Sequence, residues 1–512
     1  MNLENNNILF GFIFVLLLLI EWTKSSSNKK KYTEAKIYDV RELKKYANKI
    51  EKKNIIVSKN IKIDPHSHLT ANLNQLVIGS AGKGKSANIL ATNLLCNQGA
   101  TKFVSDVGGK LYHDFSNKLK AEGYKIKVLD LNNFSSKDQF NPLYYLKNSK
   151  GKLLKNRIVS FDEAIDIDLI DDILKIIIPD TKGKDNFFNE NTRGIAKTII
   201  LLICYHSGFK DKRNLITVVD LFSKISVFED DENKENELER IFQELERELE
   251  TTEEDQDGIL HTVLDESKPA SIVIKRWNQV RNEISKSDSD YISSVKGSFS
   301  THFDKFLSSN ATTTLSKDTM NLDRIENQKT VYFIITNEST RNFDYISSMF
   351  YECAYQMTLS LSLKNNDQAL KNPAIFLLDE FGQIYIPTFD RKISTMRKHN
   401  IYVMICLQAL SQLYENYGEN ASETIISNCA ILNYLGTDDL KTKEFISKLS
   451  GECKEILNSE NNSFKSSSRS SSEHFHALLT INDLNALKKY HSYIFINGRV
   501  YYDQLLHYSK LK

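Results

Sequence analysis

The sequence predicts an α/β fold: one largely parallel sheet, interrupted by a mostly helical insertion and preceded by an N-terminal membrane anchor. Three features carry that expectation. From Gln75 onward short apolar, β-like runs alternate with helical stretches; a block over about 155–325 has little strand signal; and Ile8 to Ile20 is an unbroken apolar run that nothing later in the chain matches.

The composition allows this. A length of 512 residues has room for several domains and a sizeable core. Hydrophobic residues at 41% and charged residues at 26% exclude a wholly disordered chain, a collagen and a multi-span membrane protein. With 67 Lys and Arg against 66 Asp and Glu, the net charge of +1 excludes a uniformly basic nucleic-acid coat, so a polyanion partner has to be held by a local patch. The six cysteines show no C-x-x-C spacing, which points to neither a disulfide framework nor a zinc site and fits a reducing compartment.

The anchor occupies residues 1–28. Its apolar run reaches only about 20 Å as a helix, against roughly 30 Å of hydrocarbon, but Leu3 and an interfacial Trp22 extend it enough for a thin or pinched bilayer. A cleaved signal peptide and a buried helix are the competing readings. The segment before Ile8 lacks the cationic start a signal peptide needs, whereas Lys24 and Lys29 to Lys31 follow the run and place the rest of the chain in the cytoplasm. Residues 29–70 form a basic juxtamembrane segment. Within it, residues 29–62 carry twelve Lys and Arg against four Asp and Glu, with apolar Ile37, Val40, Leu43 and Tyr46 at helical spacing. This is either a face for anionic lipid or a solvated helix.

Strands are expected at Leu76–Ile78, Phe103–Ser105, Ile126–Leu129, Val331–Ile335, Ala374–Leu378, Tyr402–Leu407, Ala430–Leu435 and Tyr493–Ile496. They divide the chain into an α/β domain over 71–184 and 311–512 and an inserted, mostly helical domain over 185–310. In the insertion Leu238, Ile241, Phe242, Leu245 and Leu249 recur at helical spacing inside a stretch, 228–257, holding fifteen acidic and three basic residues. Those charges read as a solvated helix face or as a docking surface for a basic partner. Pro373 and Pro387 bound one strand and its loop, and the serine-rich run Ser463–Ser472 reads as a mobile loop.

The chemistry lies at strand ends. Gly79-Ser80-Ala81-Gly82-Lys83-Gly84-Lys85-Ser86 fits G-x-x-x-x-G-K-[ST] and sits between a strand and a helical stretch reaching Leu95. Its glycines let successive amides turn inward onto phosphate oxygens at a helix N-terminus; Lys85 would neutralise the β- and γ-phosphates of ATP and Ser86 would ligate Mg²⁺. A Gly-rich surface turn is the bland alternative. The strand Ala374–Leu378 ends in Asp379 and Glu380, which suit a Mg²⁺ ligand acting through water and a general base. Gln408 ends the next strand, where an amide would sense the γ-phosphate or orient water. Arg391 and Arg397 lie between these strands, and Arg397 is the candidate finger reaching a neighbouring subunit's nucleotide, against the commoner fate of a surface Arg.

Several ordered segments resemble the coupling proteins of conjugative type IV secretion systems, the TraG-like ATPases. These are the phosphate loop, Leu-Leu-Asp-Glu-Phe-Gly-Gln-Ile at 377–384, the stretch from Cys406 to Gly418, Ile-Ile-Ser-Asn-Cys at 425–429, Asn433 to Asp439, and Phe-Asn-Pro-Leu at 140–143. The resemblance covers most of 75–155 and 325–505. It implies a RecA-like P-loop domain with an inserted all-α domain, an anchor in the cell membrane, read here as single-pass, and a homo-hexameric ring. It also implies Mg²⁺-dependent ATP hydrolysis that helps recruit relaxase-linked single-stranded DNA from the relaxosome and pump it into the secretion channel. Two departures stand out: Asp106-Val107-Gly108-Gly109-Lys110 replaces an Asp-Pro-Lys-Gly-Glu-like stretch, and one anchor is seen where many members have two membrane helices. The competing functions are a nucleotide-binding substrate receptor with little hydrolysis and a duplex DNA translocase of the chromosome-segregation type.

Overall fold

The computed structural model describes residues 34–181, 184–225, 237–254, 259–286, 289–463 and 466–511. The expected anchor and the start of the basic segment lie outside these residues, as does part of the acidic stretch. Among the described residues no helix is long and apolar enough to cross a membrane.

The strands in chain order are β1 (Ile37–Tyr38), β2 (Ile55–Ile56), β3 (Lys62–Ile63), β4 (Gln75–Gly79), β5 (Thr101–Val107), β6 (Lys125–Asp130), β7 (Glu250–Glu254), β8 (Leu260–Leu264), β9 (Thr330–Thr336), β10 (Ala374–Leu378), β11 (Ile401–Leu407), β12 (Ile431–Gly436), β13 (Glu452–Ser463), β14 (Ser466–Ala477), β15 (His491–Ile496) and β16 (Arg499–Gln504). Ten of them form one sheet in the order β1-β16-β15-β12-β4-β11-β10-β5-β9-β6. The run from β12 to β6 is parallel throughout, as strands apolar on both faces favour. β4, β9 and β10 are buried along their whole length, and the rings of Phe376, Phe103 and Tyr332 stack across three neighbouring strands at 4.6 and 5.0 Å.

All eight expected strands are in this sheet, and two more join it. β16 returns antiparallel from β15 through Asn497-Gly498, whose φ values of 51° and 72° suit a two-residue hairpin turn. β1 then pairs with β16. The basic segment therefore docks on the sheet: Leu43, in the short 3-10 helix Val40–Tyr46, packs with Ile55, Ile61, Ile63, Ile494 and Tyr501. Val40, Leu43 and Tyr46 thus pack on protein core, while Ile37 stays exposed.

The helices are α1 (Ala91–Leu95), α2 (Lys110–Ala121), α3 (Asp168–Ile177), α4 (Lys184–Tyr205), α5 (Leu215–Ser223), α6 (Glu237–Glu248), α7 (Ser271–Lys286), α8 (Ser289–Phe303), α9 (Ser309–Leu315), α10 (Asp344–Ser362), α11 (Phe389–Thr395), α12 (Ser411–Ser427, kinked at Gly418), α13 (Leu440–Leu449) and α14 (Ile481–Asn485). Helices α3 to α9 all lie between β6 and β9, with β7 and β8 as a small hairpin among them. The apolar stripe of α6 is core: Leu238, Ile241, Phe242 and Leu245 are buried, and the Phe242 ring stacks on Trp277 of α7 at 4.1 Å, which contributes about 1 kcal/mol beyond its burial. Glu239 meets Arg281 of α7 at 2.7 Å. A buried ion cluster ties this region to the sheet: Lys392 of α11 donates to Glu352 of α10 at 2.6 Å and to Asp172 of α3 at 3.1 Å. Burial pushes the Glu352 carboxyl up, and Lys392 pulls it back.

The serine-rich run corrects the loop expectation. Residues 466–472 open β14, which pairs in register with β13 over twelve positions. Strand pairing is made by backbone groups, so a segment without apolar side chains can still complete a hairpin.

Lys102, at the start of β5, is buried and donates to the carbonyls of Leu94 and Cys96 at 2.6 and 2.5 Å. Burial, helped by the charge of Lys329, pushes its ammonium down to about 7. The unfolded chain then binds more protons than the folded one above that value, so this group's contribution to stability rises as pH climbs from about 7. The expected result is a rise in the urea midpoint between pH 7 and 9 that Lys102→Met lacks; parallel curves for the two proteins would refute it.

Candidate functional site

The site is built where β4, β11 and β10 end side by side. β4 stops at Gly79, where a Cβ would lie 2.9 Å from the Leu435 Cβ, and Ser80 N–H donates to the Gly436 carbonyl at 2.9 Å, tying the loop to β12. The chain then turns through Gly82 and Gly84, with φ of 75° and 93°. At Gly84 a side chain is excluded twice, by the left-handed backbone and by the Asn88 amide, 2.2 Å from where its Cβ would be. That amide holds the turn by donating to the Gly84 carbonyl at 3.0 Å. A π-helical turn over Ser86–Leu90 leads into α1.

Five of the residues singled out from sequence converge here. Lys85 is buried, with Nζ 2.6 Å from the Gly79 carbonyl and 3.8 Å from Glu380 Oε1. Ser86 Oγ donates to Asp379 Oδ2 at 2.6 Å. Glu380 Oε2 accepts from Gln408 Nε2 at 3.0 Å, and Gln408 N–H is held by Gln412 Oε1 at 2.8 Å. Burial pushes the Asp379 carboxyl up; the Ser86 hydrogen bond opposes this, and the charge of Glu380 adds to it. Glu380 has φ 46° and ψ 49°, a left-handed backbone that costs a non-glycine residue on the order of 1–3 kcal/mol and is found where function demands it.

Of the loop residues, Ser80, Ala81, Gly82, Gly84, Lys85 and Ser86 line a cleft of about 670 Å³ with Glu380. Lys83 does not line it, and its Nζ lies 3.4 Å from where a Cβ on Gly436 would be. Arg391 and Arg397 are not brought in. Both are exposed, and Arg397 sits in the turn Met396–His399 before β11. The length of that strand, about 20 Å, separates it from Gln408 in the same chain.

Two parts of the site have no role assigned from sequence, where Asp106 only opens a stretch that departs from the family's. Ser105 Oγ donates to the Asp379 carbonyl at 3.0 Å. Asp106 accepts from Leu111 and Tyr112 N–H at 3.0 and 2.7 Å, closing the turn into α2. Gly108 and Gly109, with φ of 76° and 79°, make that turn possible, and a side chain at 108 would meet Glu338 Oε1 at 2.5 Å. Burial pushes Asp106 up to about 6, against the pull of the two amides and helped by Asp379. An apolar strand ending in a carboxylate was the available signal, the same that marked Asp379. The second part is a wall of the cleft made by Tyr490 and the segment from Gln504 to Lys510, for which no local motif exists.

The donor set suits a nucleotide with a hard divalent cation. A hydroxyl and a carboxylate oxygen in contact, beside a buried ammonium and a glycine-turned loop, match oxygen coordination and phosphate binding.

The family model described as type IV secretory system conjugative DNA transfer matches residues 24–510. Among solved structures, the unbound monoclinic form of the bacterial conjugative coupling protein TrwBdeltaN70 is similar with a TM-score of 0.62 and 16% identity over 94% of each chain. The plasmid coupling protein TrwB in complex with ADP and Mg²⁺ is similar with a TM-score of 0.60 and 16% identity over 92% of each chain. TrwB with the non-hydrolysable ATP analogue ADPNP gives 0.60 and 15%, over 93% of this chain and 94% of that one. At such identities the likeness is one of fold: a mixed α/β architecture on a large parallel sheet. Among curated protein sequences none matches this chain.

Proposed function

This chain belongs to the type IV secretory conjugative DNA transfer family, and from that premise we propose that it is the membrane-anchored ATPase that couples relaxase-bound single-stranded DNA to a secretion channel. The observation that carries the reading is the meeting of Lys85, Ser86, Asp379, Glu380 and Gln408 at the carboxyl ends of three adjacent strands. That is where parallel α/β sheets bind ligands.

In this reading residues 71–184 and 311–512 form a RecA-like motor domain and 185–310 its all-α insertion. The loop from Gly79 to Ser86, through its amides not already paired within the fold, holds the phosphates of ATP, and Lys85 turns from the Gly79 carbonyl to the β- and γ-oxygens. Ser86 Oγ and the Asp379 carboxylate hold Mg²⁺, which supplies charge neutralisation on those phosphates. Glu380, held by Gln408, takes the proton of the attacking water. The place of Arg397, a strand's length from its own site, supports a role only toward the nucleotide of a neighbouring subunit, and hence a ring, here a homo-hexamer. Residues 1–28 anchor the chain in the cell membrane with its bulk in the cytoplasm; recovery of a soluble mature form lacking residues 1–27 would refute the anchor.

The deciding measurement is steady-state ATP hydrolysis by the assembled protein with and without DNA. Stimulation by single-stranded DNA, together with loss of plasmid transfer in Asp379→Asn, is the expected result. Stimulation by duplex alone would favour a duplex translocase, and tight ATP binding without turnover would favour a substrate receptor.

A further inference from the structure

We propose that the wall of the nucleotide cleft beside the phosphate loop is a nucleobase platform, in which the ring of Tyr490 stacks on the heteroaromatic base while Gln504 and His507 read its edge. The inference rests on the nucleotide reading above and extends it from the phosphates to the other end of the ligand.

The loop satisfies the anionic end of a nucleoside triphosphate and offers nothing to a flat, weakly polar base. The wall beside it supplies what the base needs. Tyr490 is a large aromatic left 45% exposed beside the cleft. Its backbone is left-handed, with φ 60°, an uncommon state for a bulky residue that surrounding structure has to impose. That structure is visible: the Tyr490 carbonyl accepts from Leu505 N–H at 2.8 Å, and His491 N–H closes a turn onto the Lys488 carbonyl at 3.1 Å. The ring reaches the phosphate loop itself, with Cδ1 3.3 Å from where a Cβ on Gly84 would stand, and Lys489 Nζ lies 5.0 Å from its centroid.

The two polar partners are equally well held. The side-chain carbonyl of Gln504 accepts from Lys59 Nζ at 3.3 Å, which leaves its NH₂ as a donor for a ring nitrogen or a carbonyl of the base. His507 accepts at Nδ1 from Ser509 N–H at 3.3 Å, leaving Nε2 as the outward-reading atom. The segment that carries them is clamped to the helix following the phosphate loop. Thr92 Oγ1 donates to the Leu506 carbonyl at 3.0 Å, Leu506 packs with Ile56 and Cys96, and the Tyr508 ring meets Phe115 edge-on at 4.9 Å. Platform and loop are thus tied to the same helix, and a base bound there would meet a surface already held in place.

The test uses the full-length protein in detergent and compares dissociation constants for ATP and for inorganic tripolyphosphate, both with Mg²⁺. Wild type is expected to bind ATP more tightly than tripolyphosphate. Tyr490→Ala is expected to weaken ATP about tenfold, the scale of base–aromatic stacking, and to leave tripolyphosphate within twofold; Tyr490→Trp is expected to restore ATP. Gln504→Ala and His507→Ala should weaken ATP alone. Unchanged ATP affinity in Tyr490→Ala would overturn the platform, and so would an equal loss for both ligands, since that would make the wall a support for the loop. Wild type binding tripolyphosphate as tightly as ATP would overturn the platform and leave the phosphate loop standing. Wild type binding neither ligand would instead overturn the nucleotide reading on which the platform rests.

Discussion

Lys85→Ala is expected to abolish conjugative DNA transfer and to lower single-turnover ATP hydrolysis by the assembled protein by at least about 10²-fold, the cost of removing one donor from a charge-developing site. The magnitude follows from where this ammonium sits. It is almost fully buried, engages one backbone carbonyl at 2.6 Å, and stands 3.8 Å from Glu380, so in the proposed reading it only has to exchange that carbonyl for phosphate oxygens. Truncation would remove the cation proposed to meet the γ-phosphate and leave Asp379 and Glu380 without the positive charge of Lys85. Lys85→Arg does not rescue, because a planar guanidinium does not fit where an ammonium is enclosed by the turn it neutralises. If hydrolysis and transfer both survived in Lys85→Ala, the assignment of this loop would be wrong.

Glu380→Gln separates binding from chemistry. The amide is nearly isosteric and leaves the left-handed backbone at this position as it is, so ATP affinity is expected to stay within a few-fold of wild type. If Glu380 takes the proton from water, that step is lost, and hydrolysis is expected to fall by about 10²–10⁴-fold, the usual contribution of a positioned base. Equilibrium binding and single-turnover hydrolysis on the same preparation give both numbers. Turnover near wild type would reassign the base, with Asp106, buried near the same strand ends, as the next carboxylate to replace. A large loss of affinity would mean that Glu380 shapes the site and does not act on water.

Much of this was legible in the sequence because the information is local. Eight core strands are short apolar runs bounded by breakers, and each was found. Asp379, Glu380 and Gln408 each stand at the end of such a run, so the periodicity that marks the strand also marks the residue facing the crevice, and Lys85 and Ser86 close the glycine loop that follows β4. Other elements had a local signal that competed with a stronger expectation. Asn497-Gly498 is a hairpin turn by composition, and Ser105-Asp106 repeats the strand-end pattern of Asp379. The serine-rich strand β14 had no such signal, since its pairing with β13 uses backbone groups common to every residue. Leu43 shows the same limit: its helical spacing identifies an apolar side but not what covers that side, which is the antiparallel edge of the sheet.

The sequence by itself determined the α/β class, the phosphate loop, the two carboxylates and the amide, because each depends on contacts within a few residues or on a strand's own periodicity. The tertiary structure alone decided strand order, and with it which strand ends adjoin. It placed Glu380 against Gln408 and Ser86 against Asp379, and it set Arg397 at the far end of its strand. It also brought Tyr490 and the segment after Gln504 back to the helix that follows the phosphate loop, some four hundred residues earlier in the chain. Such juxtapositions arise from packing a sheet ten strands wide, where the free energy of burial is shared by distant segments and no single stretch of sequence carries a record of its partner.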